Sequence, residues 1–94
     1  RYDSALEMFD QLYARNVRDQ RVLMGLAVAQ QNSGLSEAAI RTYEELLAIA
    51  PNNADAMVNM LGLLRKQYPE VALRRLVDLA DKFPNNAGVA AQLG

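Results

Sequence analysis

A short junction that occurs twice is the feature that most constrains the fold of this chain. The tetrapeptide Pro-Asn-Asn-Ala stands at residues 51–54 and again at 84–87 of the 94-residue sequence. Self-similarity at a period of roughly 20–50 residues is the signature of repeat architectures, in which neighbouring units stack on one another. An interval of 33 or 34 residues also separates other matching positions, among them Ala5, Ala39 and Ala72, then Phe9, Tyr43 and Leu76, then Leu12, Leu46 and Leu79. The chain is therefore predicted to be a repeat protein, in which Ala39 and Ala72 are nearly buried where two helices cross closely.

Each half of the repeat has the apolar spacing of an α-helix. After Ser36 the apolar residues recur every three or four positions, as on one face of a helix and not of a strand, at Ala39, Ile40, Tyr43, Leu46 and Leu47. Gly34 is predicted to end the preceding helix, and Ser36, Asn53 and Asn86 to cap the helices that follow them. The corner at Tyr68 lacks a turn glycine and is predicted to be tighter. The pattern predicts an all-α chain of about six helices, at 2–16, 20–33, 36–50, 54–67, 69–83 and 87–94.

Composition excludes several classes of function. The sequence contains no histidine and no cysteine, so it lacks the commonest general base, the thiol nucleophile and the usual zinc ligands. The adjacent carboxylates Glu44 and Glu45 would point about 100° apart on a helix and could not share a proton. We therefore expect no catalytic residue, no cofactor and no metal site, and hence no enzyme. The formal net charge of -1 argues against nucleic acid as a partner, and no apolar run approaches the roughly 18 residues of a membrane span.

The repeat resembles that of the tetratricopeptide repeat family. The resemblance is carried in the central unit by Leu26, Gly34, Ala39, Tyr43 and Pro51, and in the next unit by Ala72 and Pro84. It implies an α-solenoid, a right-handed superhelix of antiparallel helix pairs. The implied division is part of a second helix at 1–19, full repeats at 20–53 and 54–86, and the start of a further repeat at 87–94. Because the first residues then fall inside a unit, we expect the chain to be a segment of a longer protein.

The resemblance also implies where a ligand would bind. In this family the first helix of each pair lines the concave surface, so residues off its packing face are expected to line a groove. These are Arg21, Met24, Gly25, Val28, Gln31, Asn32, Asp55, Val58, Asn59, Gly62, Arg65 and Lys66. The two glycines would allow a ligand backbone to approach closely. The expected partner is another protein, which offers a peptide or an amphipathic helix to this groove.

Other functions remain compatible with the same pattern. One is an architectural spacer within a longer array of repeats, of the kind that serves bacterial envelope assembly or secretion. Another is RNA binding by helical-hairpin repeats, as in the pentatricopeptide family, although a near-neutral charge disfavours phosphate contacts. Neither end of the chain has the polar cap that terminal repeats normally carry. We therefore expect Leu6 or Phe9 to be incompletely covered, and self-association through the end faces.

Overall fold

Five consecutive helices make up most of the part of the chain that the structure describes. The computed structural model describes residues 2–16 and 19–89, with side chains from Leu6 onwards. The helices are α1 (Tyr2–Ala14), α2 (Gln20–Asn32), α3 (Ser36–Ile49), α4 (Ala54–Gln67) and α5 (Pro69–Lys82). A further helical stretch occupies residues 87–89, and no strand occurs in the described part of the chain. The all-α prediction is confirmed, and the predicted helix ends agree within two residues; the rest of the helix predicted at 87–94 lies outside the described residues.

Side chains in equivalent positions cap the starts of α2, α4 and the helical stretch at 87–89. Asp19 Oδ1 accepts a hydrogen bond of 2.9 Å from the backbone N–H three residues further on, and Asn53 Oδ1 accepts one of 3.0 Å in the same way. Asn86 Oδ1 accepts a bond of 2.8 Å from the N–H of Gly88. These bonds satisfy N–H groups that a helix start leaves unpaired. The predicted caps at Asn53 and Asn86 are confirmed, and Asp19 is a third.

The turn between α2 and α3 is partly as predicted. Gly34 has a φ of 81°, and the N–H of Leu35 donates to the carbonyl of Gln30 at 2.8 Å, which is the bonding pattern of a glycine-terminated helix. The cap predicted at Ser36 is wrong. Ser36 is already the first residue of α3, and Leu35 precedes it as a cap without a side-chain hydrogen bond. The Tyr68 corner is as tight as expected, because Tyr68 alone separates α4 from α5.

The buried side chain of Asn86 also links two successive junctions. Its Nδ2 donates to the carbonyl of Pro51 at 2.8 Å and to the carbonyl of Asn53 at 3.2 Å, and the residue is 1% exposed. Asn53 Nδ2 in turn donates to Gln20 Oε1 at 3.2 Å. The second asparagine of each Pro-Asn-Asn junction therefore caps the helix that follows it. It also hydrogen-bonds to residues at the start of the helix one repeat earlier.

The core runs through the middle of the row. Tyr43 of α3 and both Met57 and Met60 of α4 are fully buried, and Ala39 has no exposed surface, as its close helix crossing predicts. The matching prediction that Ala72 is nearly buried is wrong, since this residue is only half-buried. It lines a cleft of about 320 Å³ between α4 and α5, together with Leu73 and other apolar side chains.

The outer helices have incompletely covered apolar faces. Leu73 of α5 is 72% exposed, whereas Ile40, which stands at the equivalent position of α3, is 7% exposed. Helix α3 is packed between α2 and α4, but α5 packs mainly on α4. In α1, Leu6 and Phe9 are half-buried, as expected, and Met8 is exposed.

Candidate functional site

Helix α4 presents one face of the predicted groove to solvent. Five of its six candidate residues are exposed, and their intervals of three, four and one place them on a single side of the helix. The opposite side is buried and includes Met57, Met60 and Leu64. We use the term groove face for one set of candidate residues on each helix. On α4 these are Asp55, Val58, Gly62, Arg65 and Lys66, and on α2 they are Arg21, Met24, Val28 and Asn32.

Helix α2 contributes less open surface at the equivalent positions. Arg21 and Asn32, near its two ends, are exposed. Met24 and Val28, between them, are half-buried, and Met24 packs against the edge of the core. The apolar candidates Met24, Val28 and Val58 are therefore unequally exposed, and Val58 is the most accessible of them at 42%.

The two groove glycines have different surroundings. A Cβ built on Gly25 would collide with the ring of Phe9, so this position faces α1 and not an open groove. The interpretation of Gly25 as a point of close ligand approach is therefore replaced by a packing role. A Cβ at Gly62 would meet no atom within 4 Å. Only Gly62 leaves space beside its backbone for a ligand.

Two further candidates are engaged with a buried tyrosine. The hydroxyl of Tyr43 donates to Gln31 Oε1 at 2.8 Å and so joins α3 to α2. Burial raises the pKa of Tyr43 above its ordinary value of 10.0, and a hydrogen bond with the Asn59 side chain partly offsets this effect. Gln31 and Asn59 are both half-buried. The structure therefore brings these two candidates together around Tyr43, which the sequence pattern did not indicate.

The charged residues of the groove face lie at opposite ends of α4. Asp55 stands in the first turn, and Arg65 and Lys66 stand in the last. This arrangement stabilises the helix by complementing its dipole, and it also makes one end of the groove face basic. Within residues 2–16 and 19–89, no group of three or more His, Cys, Asp or Glu side chains could hold a metal ion.

Two clefts lie away from the groove face. Each lies between two helices that are separated in the sequence by one other helix. The first has a volume of about 600 Å³ and lies between α1 and α3; its lining includes Asp10, Tyr13, Arg41, Glu44 and Glu45. The second has a volume of about 410 Å³ and lies between α3 and α5, with Ile40 and Leu64 among its lining residues. Sequence periodicity gave no signal for either cleft, because each depends on how far apart two non-adjacent helices are held.

Comparison with known families decides the class of the protein. The family model for the tetratricopeptide repeat matches residues 1–64, which is more than half of the chain. The chain belongs to the tetratricopeptide repeat family. The matched range includes α1, α2, α3 and most of α4, and thus the groove face except for Arg65 and Lys66. No curated protein and no solved structure matches the chain.

Membership of the tetratricopeptide repeat family gives the general class of function. These repeats generally mediate contacts between proteins, and the family is typically a scaffold without enzymatic activity. In the described part of this tetratricopeptide repeat chain, no helix is both long and apolar enough to cross a bilayer.

Proposed function

We propose that this tetratricopeptide repeat segment binds a partner protein along its groove face, with α4 making the principal contacts. The division into repeats at 20–53 and 54–86 is part of the same proposal. Each repeat then contributes its first helix to the binding surface, and the second helix of each repeat supports it from behind.

Exposed Val58 beside open Gly62 is the observation that carries this proposal. A glycine in the interior of a helix destabilises it by about 1 kcal/mol relative to alanine. No neighbouring atom of the described residues prevents a methyl group at Gly62, so packing among those residues does not account for the glycine. A ligand backbone that passes close to α4 would account for it, and Val58, four residues earlier on the same face, would supply apolar contact.

The charges of the groove face indicate the chemistry of the partner. Arg65 and Lys66 lie beyond Gly62 at the carboxyl end of α4, so an acidic group on the ligand would be attracted there. The best-fitting ligand is an amphipathic helix or an extended segment with an apolar stripe and an acidic end. Arg65→Glu should mainly slow its association and reduce the salt dependence of the rate.

The test selects ligands without assuming their identity. Peptides from a random displayed library would be selected on the wild-type segment and then measured against Val58→Glu, against the Val28→Glu, Val58→Glu double variant and against Val77→Glu. Val77 is 51% exposed on α5, outside the groove face, and is the matched control. We expect the groove variants to lose most of the selected peptides and Val77→Glu to retain them. Gly62→Ala should weaken binding although it stabilises the fold.

Circular dichroism of each variant separates lost binding from lost structure. Val58→Glu is the cleaner single change, because Val28 is half-buried and a charge there also perturbs packing. If the double variant kept full affinity for the selected peptides, the groove face would be removed as the binding site. The architectural spacer would then be the better description of this segment.

A further inference from the structure

Tyr43 links α2 to α4 through hydrogen bonds that run in one direction. Its hydroxyl donates its single proton to Gln31 Oε1 at 2.8 Å. Because that proton is used, Tyr43 can only accept a hydrogen bond from the side chain of Asn59. Burial raises the pKa of Tyr43, and the bond with Asn59 partly offsets this effect, as an N–H donor to the hydroxyl oxygen does. The bonds therefore run from the amide nitrogen of Asn59, through Tyr43, to the carbonyl of Gln31.

The direction of these bonds determines which group each amide offers to a ligand. Gln31 uses its carbonyl, so its Nε2 remains as a donor, and Asn59 uses its nitrogen, so its Oδ1 remains as an acceptor. In the described part of the chain neither of these two atoms has a hydrogen-bond partner. Ser33 Oγ is the only side-chain polar atom there that is both buried and unpaired, so Gln31 Nε2 and Asn59 Oδ1 both reach solvent.

A trans peptide unit carries the groups that complement this pair of amides. The unit is planar, and its C=O and N–H point to opposite sides of the chain. It can therefore accept a hydrogen bond from α2 and donate one to α4. A helical ligand cannot do this in its interior, because its backbone groups are bonded to each other. A carboxylate cannot do it either, because it offers only acceptors.

We infer that the ligand of the groove face is bound in extended conformation, with the carbonyl of one peptide unit accepting from Gln31 Nε2 and its N–H donating to Asn59 Oδ1. This inference rests on the proposed function and chooses between the two ligand forms that the proposed function allows. Gly62, which lies one turn beyond Asn59 on the same side of α4, leaves room for the ligand backbone. Main-chain hydrogen bonds of this kind supply affinity for extended peptides, and side-chain contacts such as that with Val58 supply specificity.

The probe is an extended peptide with an apolar stripe and an acidic end, acetyl-Thr-Val-Ser-Leu-Thr-Asp with a free carboxyl terminus. Amide chemical shifts of the labelled protein are followed up to about 10 mM probe, which populates a site with a millimolar dissociation constant. Each peptide bond is replaced in turn by an ester, which removes the N–H and weakens the carbonyl as an acceptor. We expect one ester to raise the dissociation constant about three- to tenfold, the effect of losing ordinary hydrogen bonds, and the others to have little effect.

A helical peptide is the conformational control. It carries the same apolar and acidic side chains, spaced for one face of a helix and held helical by α-aminoisobutyric acid. We expect it to bind more weakly than the extended peptide. The side-chain amide signals of Gln31 and Asn59 should shift with the extended peptide and should shift less with the sensitive ester.

Variants of the protein test the donor on α2. Gln31→Glu keeps an oxygen acceptor for Tyr43 but has no N–H group, so the difference between the parent peptide and the sensitive ester should shrink. Gln67→Glu adds the same charge at the end of α4, at an exposed position outside the groove face, and should keep the difference. Because each comparison is a ratio of two dissociation constants on one variant, the effect of the added charge cancels. Circular dichroism checks that both variants are folded.

Several results would overturn the inference. They are equal binding of the parent and all its esters, tighter binding of the helical control, an undiminished difference in Gln31→Glu, or no shift with the extended peptide at about 10 mM. If the parent peptide bound and Val58→Glu abolished its binding, the proposed function would stand whatever the esters showed. Binding that Val58→Glu left unchanged would count against the proposed function as well.

Discussion

The two helix-interior glycines make a matched pair whose replacement by alanine should change stability in opposite directions. Alanine is favoured over glycine in a helix by about 1 kcal/mol. At Gly62 nothing opposes this gain, because a Cβ would meet no atom within 4 Å. At Gly25 the Cβ would collide with the ring of Phe9, which must move away from α2. Overpacking costs about 1–3 kcal/mol, so Gly25→Ala should be destabilising by about 0–2 kcal/mol after the helical gain.

Thermal unfolding followed by circular dichroism measures both signs. One kcal/mol corresponds to a shift in Tm of about 4–8 °C for a domain of this size. We expect Gly62→Ala to raise Tm by about that amount, and Gly25→Ala to leave Tm unchanged or to lower it by up to about twice that amount. In the Gly25→Ala, Phe9→Ala double variant the collision is absent, so the alanine at position 25 should be stabilising relative to Phe9→Ala alone. If Gly25→Ala raised Tm as much as Gly62→Ala, the packing of Phe9 against α2 would be refuted.

Four further predictions concern stability and association. Ala39→Leu should overpack a helix crossing with no exposed surface and lower the unfolding free energy by about 1–3 kcal/mol in urea denaturation; an unchanged midpoint would contradict the repeat register. Asn86→Asp keeps the cap oxygen but loses the buried donor, and should cost about 1–3 kcal/mol, whereas Asn53→Asp should stay within about 0.5 kcal/mol. Burial holds the pKa of Tyr43 above 10.0, so the folded state retains a proton that the unfolded chain loses. The stabilisation that the neutral Tyr43 gives to the folded state is full below pH 10 and is lost as pH rises through its folded-state pKa. Tyr43→Phe should therefore make the unfolding free energy less dependent on pH in unfolding curves taken across alkaline pH. Self-association through the open face of α5 should appear in ultracentrifugation as mass that rises with concentration, and Leu73→Lys should reduce it; a strict monomer at high concentration would exclude it.

The helices and their caps could be predicted because they depend on residues close together in the chain. Asn53 lies three positions before the N–H group that it caps, and Gly34 sets the conformation of its own turn. The failure at Ser36 is also local. A serine is a good cap in general, but here the glycine-terminated turn is one residue shorter than a cap at Ser36 requires, and α3 begins at the serine itself. Predictions of this kind fail by one residue and leave the architecture unchanged.

The links between repeats could not be predicted in the same way. Asn86 donates to carbonyl groups 33 and 35 residues earlier, and its sequence context is the same as that of Asn53. The difference in burial between Ala39 and Ala72 is a similar case. Both stand at the same position of the repeat, but Ala39 is enclosed by helices on both sides and Ala72 lines an open cleft. The repeat pattern specifies which face of a helix packs, and the neighbouring helix determines how completely.

The preceding helix also determines which groove candidates remain exposed. Gly25 and Asn59 occupy equivalent positions in α2 and α4, and each faces the large aromatic residue of the preceding helix. Phe9 has no polar group, and its ring fills the space in front of Gly25. Tyr43 carries a hydroxyl, which engages Asn59 and also Gln31. Phe9 therefore excludes Gly25 from the groove. Tyr43 engages Asn59 of α4 and also Gln31 of α2. The residues that remain open on α4 are Asp55, Val58, Gly62 and the basic pair after them. This is why the proposed function assigns the principal contacts to α4 and not to α2.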